Sequence, residues 1–237
     1  MELLLLSNSR MPDGGYLAHA LGAIGAIAAG RKRALFLPFA SVTVGWDEFT
    51  ARVQAALAET AITLAPVHAE ADPLAAIAAA EMIFVGGGNT FNLLAECRRR
   101  GLLAPIAARV RAGVPYVGWS AGSVLACRTI QTTNDMPIVD PDGFAALGLV
   151  PYQINPHYTD ALPPDHQGET RRQRLAELLV ANPGVMVVGL PEGDWLLVSG
   201  STTTLHGPHP ARLFHGGQEP AELGPGESLV RLVIPTG

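Results

Sequence analysis

The segment Gly118-Trp119-Ser120-Ala121-Gly122 matches G-x-S-x-G, a pattern in which a serine stands on a sharp turn between a strand and a helix. An apolar run, Val114–Val117, comes directly before it, and a helical stretch, Ser123–Arg128, comes directly after it. A serine in this position faces the edge where open α/β sheets bind their ligands. The alternative is a serine that merely caps a helix after a tight turn. The segment therefore predicts a serine nucleophile or an ordinary helix cap.

A second glycine-rich turn, Gly86-Gly87-Gly88, also follows an apolar run and precedes a helical stretch. Its unshielded backbone N–H groups suit an anion or an oxyanion. The spacing is not G-x-G-x-x-G and no lysine follows, so a nucleotide site is not supported. An oxyanion hole built from Gly88 and from Ala121, at the start of the helix after the serine, fits better. The alternative is a flexible strand-to-helix turn.

A serine hydroxyl needs a base that is itself oriented by a third group. Among seven histidines, His157 follows a strand-like run that stops at Pro156, so its side chain is exposed at a strand end. Glu192 follows another apolar strand, and Asp135 lies in the long polar stretch Thr129–Gly143. Either carboxylate could orient a base or be an ordinary turn residue. Three further histidines are more typical of loop residues than of a metal site: His206, His209 and His215.

Short apolar runs alternate with helical stretches through the first half of the chain, which indicates strands and helices in alternation. The predicted strands are Leu3–Leu6, Ala34–Leu37, Ile62–Val67, Met82–Val85 and Val114–Val117. The predicted helices between them are Tyr16–Ala29, Asp47–Glu59, Pro73–Ala80, Thr90–Arg100 and Ala104–Ala112. Strands that are apolar on both faces are typical of a parallel sheet covered on both sides. The pattern predicts a doubly wound, mostly parallel α/β sheet.

The second half adds a helix at Glu169–Val180, strands at Val185–Leu190 and Trp195–Val198, and β-hairpins after Thr202. We see no linker, so residues 1–237 are expected to form a single domain, which is a common length for one α/β unit. The excess of 21 acidic over 16 basic residues argues against nucleic-acid or anionic-membrane partners. Two cysteines fit a reducing compartment, and Met1–Ser7 lacks the basic residues of a signal peptide. We expect a cytoplasmic protein.

Several motifs occur in an order that resembles the peptidase E family, the bacterial aspartyl dipeptidases, over nearly the whole chain. The motifs are Met1–Arg10, Gly86–Thr90, Gly118–Ser123, Thr132–Pro137, Asn155–Tyr158, Gly168–Arg171 and Pro191–Gly193. The resemblance implies a flavodoxin-like fold related to class I glutamine amidotransferases, with serine in place of cysteine. It also implies hydrolysis of dipeptides with an N-terminal aspartate (Asp-Xaa), without a metal or an organic cofactor.

The resemblance implies Ser120 as nucleophile and His157 as general base and acid. In the family, the third role is assigned both to the residue matching Glu192 and to the residue matching Asp135. We expect Glu192 to orient the histidine and Asp135 to act through the substrate or the structure. Arg171, at a predicted helix start where positive charge is unfavourable, is expected to bind the aspartate side chain.

Two other functions are compatible with the same scaffold. A cyanophycinase-like hydrolase would cleave aspartyl polymers and would need an open groove, whereas the short chain and the long polar loop favour a closed dipeptide pocket. A non-catalytic ligand-binding protein would not need Ser120, His157 and Glu192 together. The sequence indicates neither the oligomeric state nor the preferred second residue of a dipeptide.

Overall fold

The main sheet of the computed structural model has eight strands in the order β12-β9-β8-β1-β5-β4-β2-β3. The structure describes residues 1–12, 14–161 and 167–229, so His166 and the C-terminal end of the predicted hairpins lie outside the described residues. The strands of this sheet are β1 (Glu2–Leu6), β2 (Arg33–Leu37), β3 (Thr63–Pro66), β4 (Ile83–Val85), β5 (Tyr116–Trp119), β8 (Trp195–Ser199), β9 (Thr202–His206) and β12 (Ser228–Leu229). The five strands β1 to β5 are parallel, and β8, β9 and β12 extend the sheet in antiparallel pairs.

A second sheet has four strands in the order β11-β10-β7-β6. Its strands are β6 (Gln153–Asn155), β7 (Met186–Gly189), β10 (Ala211–His215) and β11 (Ala221–Leu223). The strands β6 and β7 are parallel, with Asn155 opposite Gly189. The sequence did not predict this sheet, because the strand-like segments that form it are separated by long stretches of chain.

Helices cover both faces of the main sheet, as predicted. They are α1 (Leu21–Ala28), α2 (Trp46–Ala56), α3 (Pro73–Ala79), α4 (Thr90–Arg99), α5 (Leu103–Arg111) and α6 (Ala121–Leu125). The last helix, α7 (Arg171–Ala181), packs against the second sheet through Leu175 and Leu179. Because successive strand residues point to opposite faces, β1 supplies both layers of the core. Leu4 and Leu6 pack with α1 and α2, whereas Leu3 and Leu5 belong to the core that includes α3 to α6 and the second sheet.

The α/β architecture with a mostly parallel sheet is therefore confirmed, and several boundaries differ from those predicted. The strand before the serine runs from Tyr116 to Trp119, two residues later than predicted, and the next helix begins at Ala121 rather than Ser123. The first helix begins only at Leu21, after a single 3-10 turn. Apolar residues mark which segments are buried, but the backbone hydrogen bonds of the sheet determine where a strand ends.

Candidate active site

Ser120 stands alone between a strand and a helix, with Trp119 ending β5 and Ala121 beginning α6. Its backbone has φ 50° and ψ −112°, a conformation that residues with a Cβ rarely adopt and that is typical of functional sites. Its N–H donates to the carbonyl of Leu6, at 3.0 Å, which ties the turn to the end of β1. A Cβ on Gly122 would lie 2.2 Å from the Val85 carbonyl oxygen, so α6 packs this close to β4 only with glycine there.

His157 follows β6 by two residues and adopts a left-handed conformation, with φ 56°. Its Nε2 lies 2.9 Å from Oγ of Ser120, within the range of a hydrogen bond between a nucleophile and its base. The side chain is 34% exposed, so a substrate in the cleft can reach the reacting atoms. The structure thus brings Ser120 and His157 into direct contact.

Glu192 lies beyond the end of β7, the strand that pairs in parallel with β6. Its Oε1 is 2.7 Å from Nδ1 of His157, on the opposite side of the imidazole from Ser120. This carboxylate is 56% exposed. A neutral imidazole that donates from Nδ1 to Glu192 presents an unprotonated Nε2 to Ser120, which is the tautomer that a general base requires.

The second predicted carboxylate, Asp135, is bound elsewhere. Its Oδ2 accepts hydrogen bonds from the N–H (2.8 Å) and the hydroxyl (2.5 Å) of Thr90, the first residue of α4, and from the hydroxyl of Thr133 at 2.9 Å. The neighbouring Asn89 side chain donates to the carbonyl of Met136 at 2.8 Å. Asp135 therefore fastens the long polar loop to the N-terminus of α4, where a negative charge is favourable.

The glycine-rich turn approaches Ser120 closely. A Cβ on Gly87 would lie 3.2 Å from Cβ of Ser120, and a Cβ on Gly88 would lie 2.2 Å from the carbonyl oxygen of Ala40. Gly88 also has φ +139°, which strains any other residue. Ala121 is the first residue of α6, and amides in a first helical turn have no acceptor within the helix. Of the two predicted oxyanion-hole residues, Ala121 directly follows the serine, and Gly88 lines the same cleft as the serine.

Arg171 is placed away from the serine. It begins α7 and lines a separate cavity of about 240 Å³, and its Nη1 donates to the carbonyl of Pro156 at 3.2 Å. Burial and the nearby Arg174 lower the pKa of Arg171 below its usual value. This hydrogen bond supports the backbone directly before His157.

Ser120 and His157 line a cleft of about 760 Å³, a size suited to a small ligand. Two arginines that sequence reasoning missed, Arg10 and Arg52, also line it, and no carboxylate does so among the described residues. Arg10 follows the carboxyl end of β1, which is a signal that could have found it. Arg52 lies on the exposed face of α2, and no sequence pattern distinguishes it from a solvated arginine.

Other reactive groups of the described residues do not form a competing centre. Cys97 and Cys127 are both free and buried, and burial raises the pKa of each thiol to about 12, so neither supplies a thiolate near neutral pH. Within residues 1–12, 14–161 and 167–229, no three His, Cys, Asp or Glu side chains are grouped so as to hold a metal ion. None of the helices in these ranges has the length and apolarity needed to cross a bilayer.

Comparison with known proteins matches the sequence of this chain to a peptidase family. The model of peptidase family S51 matches residues 3–206. A protein named Peptidase E from Citrobacter koseri is 57% identical over 226 residues, which are 95% of this chain and 99% of the relative. A protein of the same name from Escherichia coli is 55% identical over 226 residues, with the same coverage of both chains.

Two solved structures share the fold at low sequence identity. A putative Peptidase E protein from Listeria monocytogenes EGD-e has a TM-score of 0.66 at 21% identity, covering 88% of this chain and 98% of that one. A peptidase from an acI-B1 Actinobacterium has a TM-score of 0.71 at 15% identity, covering 96% of both chains. These two structures show a shared fold and nothing more, because their sequence identity is low. Membership of a family is shown by the family model and by the relatives that are 55–57% identical. This chain belongs to peptidase family S51.

Proposed function

We propose that this chain is a serine-type dipeptidase that hydrolyses dipeptides with an N-terminal aspartate through an acyl-enzyme on Ser120. The observation that carries the proposal is the continuous contact from Ser120 Oγ to His157 Nε2 (2.9 Å) and from His157 Nδ1 to Glu192 Oε1 (2.7 Å). Such a series of nucleophile, base and orienting acid recurs on unrelated folds that catalyse acyl transfer. The relatives named Peptidase E, which are 55–57% identical, support the dipeptidase reaction.

In the first step, Ser120 Oγ attacks the carbonyl carbon of the peptide bond while His157 Nε2 takes the hydroxyl proton. The new C–O bond forms as the carbonyl oxygen becomes an oxyanion. The carbonyl then re-forms, the C–N bond breaks, and Nε2 gives its proton to the leaving amine. Glu192 stabilises the imidazolium that exists between the two proton transfers.

In the second step, water replaces the amine. His157 Nε2 takes a proton from the water, whose oxygen bonds to the aspartyl carbonyl carbon. The tetrahedral intermediate collapses, the bond to Ser120 Oγ breaks, and Nε2 returns the proton to the serine. Aspartate and the second amino acid are the products, and no oxidant, reductant or cofactor enters the balance.

The backbone amides of Gly88 and Ala121 are proposed to hold the oxyanion in both steps. Ala121 directly follows Ser120, and Gly88 lines the same cleft. Preorganised N–H donors at an oxyanion are worth about 10²–10³ in rate for each donor. Asp135 supports this arrangement indirectly, because it accepts hydrogen bonds from Thr90, the first residue of α4, which follows the glycine-rich turn. Its proposed role is therefore to position the turn and not to orient the histidine.

The charge of the cleft supports an acidic substrate. At neutral pH an Asp-Xaa dipeptide carries two carboxylates and one ammonium group, and the cleft presents Arg10 and Arg52 without a lining carboxylate among the described residues. We propose Arg171 as the cation for the aspartate side chain, on the sequence motif that contains it. Arg10 and Arg52 are the competing candidates, because they line the cleft itself.

Single alanine variants of the three arginines separate these candidates. The measured quantity is the ratio of kcat/KM for Asp-Leu to that for Asn-Leu, because a cation that reads the side chain discriminates between carboxylate and amide. The variant in which this ratio falls towards one identifies the cation. If the ratio changes for Arg10→Ala or Arg52→Ala and not for Arg171→Ala, the role proposed for Arg171 is wrong.

We also propose that the reaction takes place in the cytoplasm. Cys97 and Cys127 are both free thiols, as is usual in a reducing compartment. Fractionation of cells that express the chain, with activity assayed in each fraction, tests this location.

The central experiment is hydrolysis of a matched panel, Asp-Leu, Asn-Leu, Glu-Leu and Leu-Leu, by the wild-type chain and by Ser120→Ala. We expect selective cleavage of Asp-Leu that is lost in Ser120→Ala. Ser199→Ala is the matched control, because Ser199 is exposed on β8 and its hydroxyl donates to Glu2. If the folded wild-type chain cleaves no dipeptide, the proposal is wrong, and aspartyl polymers become the next substrates to test.

A further inference from the structure

The segment Leu6-Ser7-Asn8, at the carboxyl end of β1, contacts the loops that carry all three residues of the proposed triad. The carbonyl of Leu6 accepts the N–H of Ser120 at 3.0 Å. The side chains of Ser7 and Asn8 reach the other two loops. Neither residue lines the cleft, so neither has a direct role in the proposed reaction.

Ser7 bridges the histidine loop and the glutamate loop with one hydroxyl group. Its Oγ accepts the backbone N–H of His157 at 2.8 Å and donates to the carbonyl of Leu190, also at 2.8 Å. The Ser7 side chain is completely buried, so water does not replace these partners. Because the hydroxyl of Ser7 donates its single proton to Leu190, its lone pairs are left to accept the N–H of His157.

The bond from Ser7 acts on a backbone that is held in an unfavourable conformation. His157 has φ 56°, in the left-handed region that costs free energy for residues with a Cβ. Such a conformation persists only where neighbouring contacts hold it, and the Ser7 hydroxyl supplies one directly at the strained residue. In this conformation the imidazole reaches Ser120 with Nε2 and Glu192 with Nδ1.

Asn8 holds the backbone next to Glu192, as Ser7 holds the backbone of His157. Its Oδ1 accepts the N–H of Gly193, the residue after Glu192, at 2.8 Å, and its Nδ2 donates to the carbonyl of Arg10. The Asn8 side chain is almost fully buried, whereas the Glu192 side chain is 56% exposed. An exposed carboxylate has few packing contacts of its own, so the placement of its backbone decides where it points.

These contacts join two different sheets. Ser120 follows β5 of the main sheet, whereas His157 and Glu192 follow strands of the second sheet. Within a sheet, backbone hydrogen bonds set the register of neighbouring strands. Between β1 and the glutamate loop there is one such bond, from the N–H of Ser7 to the carbonyl of Asp194 at 3.0 Å. The side chains of Ser7 and Asn8, at the end of a main-sheet strand, reinforce this link and extend it to the histidine loop, where the nucleophile must meet its base.

We propose that Ser7 and Asn8 are positioning residues that align the base and the acid on the second sheet with the nucleophile on the main sheet. The proposal rests on the proposed function, because it assigns a role relative to that triad. It predicts that removing either side-chain contact lowers catalysis without altering substrate binding. A displacement of about 1 Å at a reacting group can cost about 100-fold in rate.

The test uses Ser7→Ala and Asn8→Ala in the full chain, with Asp-Leu as substrate. We expect kcat to fall by about 10- to 100-fold, with KM changed by less than about twofold, because neither side chain touches the cleft. Thr203→Val is the matched control: it removes a buried hydroxyl that bonds to Tyr152, away from the cleft, and should leave kcat unchanged. Urea unfolding verifies that each variant is folded at the assay temperature.

A double-mutant cycle separates positioning from general structural damage. If Asn8 acts through Glu192, Asn8→Ala should cost much less in a Glu192→Ala background than in the wild type, because the group it positions is absent. An equal loss in both backgrounds would overturn the proposal for Asn8. Wild-type kcat in both Ser7→Ala and Asn8→Ala would overturn it entirely.

A spectroscopic measurement makes the test independent of the substrate. The proton on Nδ1 of His157, when donated to a carboxylate, gives a far-downfield proton resonance, assigned by its loss in Glu192→Ala. We expect this resonance to weaken or shift in Ser7→Ala and Asn8→Ala and to persist in Thr203→Val. If the wild type fails to cleave Asp-Leu, the proposed function is wrong, and the resonance alone decides the positioning role. An unchanged resonance in both variants would overturn it.

Discussion

Nδ1 of His157 lies 2.7 Å from Oε1 of Glu192, and the two residues follow neighbouring parallel strands, β6 and β7. Parallel strands present their carboxyl ends at one edge of a sheet, so residues far apart in the chain meet there. The pair is partly exposed, so solvent screens it and it contributes little to the free energy of unfolding. Its consequence is orientation of the imidazole towards Ser120.

Replacing Glu192 by Gln should therefore damage catalysis more than stability. Loss of a buried orienting carboxylate in a serine triad lowers kcat by about 10⁴-fold. Because Glu192 is partly solvated, we expect a smaller fall here, of about 100-fold or more. The urea midpoint should remain close to that of the wild type. Steady-state kinetics with Asp-Leu checks the rate, and a kcat near the wild-type value would contradict the orienting role.

Asp135→Ala should lower stability as well as activity. The substitution leaves the N–H and hydroxyl of Thr90 without their acceptor, and such a loss costs about 1–3 kcal/mol. The hydroxyl of Thr133 keeps an acceptor, because it also lies 2.9 Å from Oγ1 of Thr90. Asp135→Asn, which keeps one acceptor oxygen, should recover part of this loss. Urea unfolding of the three proteins provides the comparison, and equal stability of all of them would argue against the anchoring role.

Gly88→Ala should disrupt the proposed oxyanion hole. The added Cβ would meet the Ala40 carbonyl oxygen at 2.2 Å at a φ of +139°, so the turn must move, at a cost of about 1–3 kcal/mol. Because one donor would be displaced, kcat should fall by about 10²–10³-fold. Gly25→Ala is the control, since it lies within α1 with open space around its Cβ position. It should retain full activity, and a gain of about 0.5–1 kcal/mol is expected from helix propensity.

Asp194 should make the stability depend on pH. Its side chain is completely buried, and burial raises the pKa from 3.8 to about 6 in the folded chain, although His209 opposes the shift. Between these two values the folded state holds a proton that the unfolded state has lost, so the free energy of unfolding falls as pH rises from about 4 to about 6.

The Asp194→Asn variant removes this titration. We expect the stability of the variant relative to the wild type to increase over that pH interval and then to level off above it. Urea unfolding in steps between pH 4 and pH 8 measures the difference. A difference that stays constant across the interval would show that Asp194 keeps its ordinary pKa.

Much of the fold could be predicted because buried strands appear in the sequence as short apolar runs between turn residues. The runs Leu3–Leu6 and Met82–Val85 are short, apolar and bounded by turn residues. The first lies within β1, and the second contains β4, which begins one residue later than predicted, at Ile83. The turn at Ser120 was recognisable because its glycines allow close packing on both sides. The strand before it ends two residues later than predicted, since cross-strand hydrogen bonds to β1 continue to Trp119.

The second sheet and the missed arginines show the limit of local patterns. The strand β6 has only three residues, Gln153–Asn155, and it becomes a strand by pairing with β7, more than thirty residues later. Arg52 resembles any solvated helix residue in sequence, and the packing of α2 beside the glycine-rich turn is what places it at the cleft. Neither the pairing of β6 with β7 nor the position of Arg52 at the cleft produces a periodic pattern in the sequence.

By itself, the sequence determined the α/β class, the turn that carries Ser120 and the family resemblance, because each depends on residues adjacent in the chain. Only the tertiary structure decided which of two carboxylates faces His157, since the local sequence around Glu192 and that around Asp135 are both compatible with this role. That choice depends on the pairing of β6 with β7 and on the contacts that hold Asp135 at α4. Contacts between residues distant in sequence arise from packing the whole chain, and no local pattern encodes them.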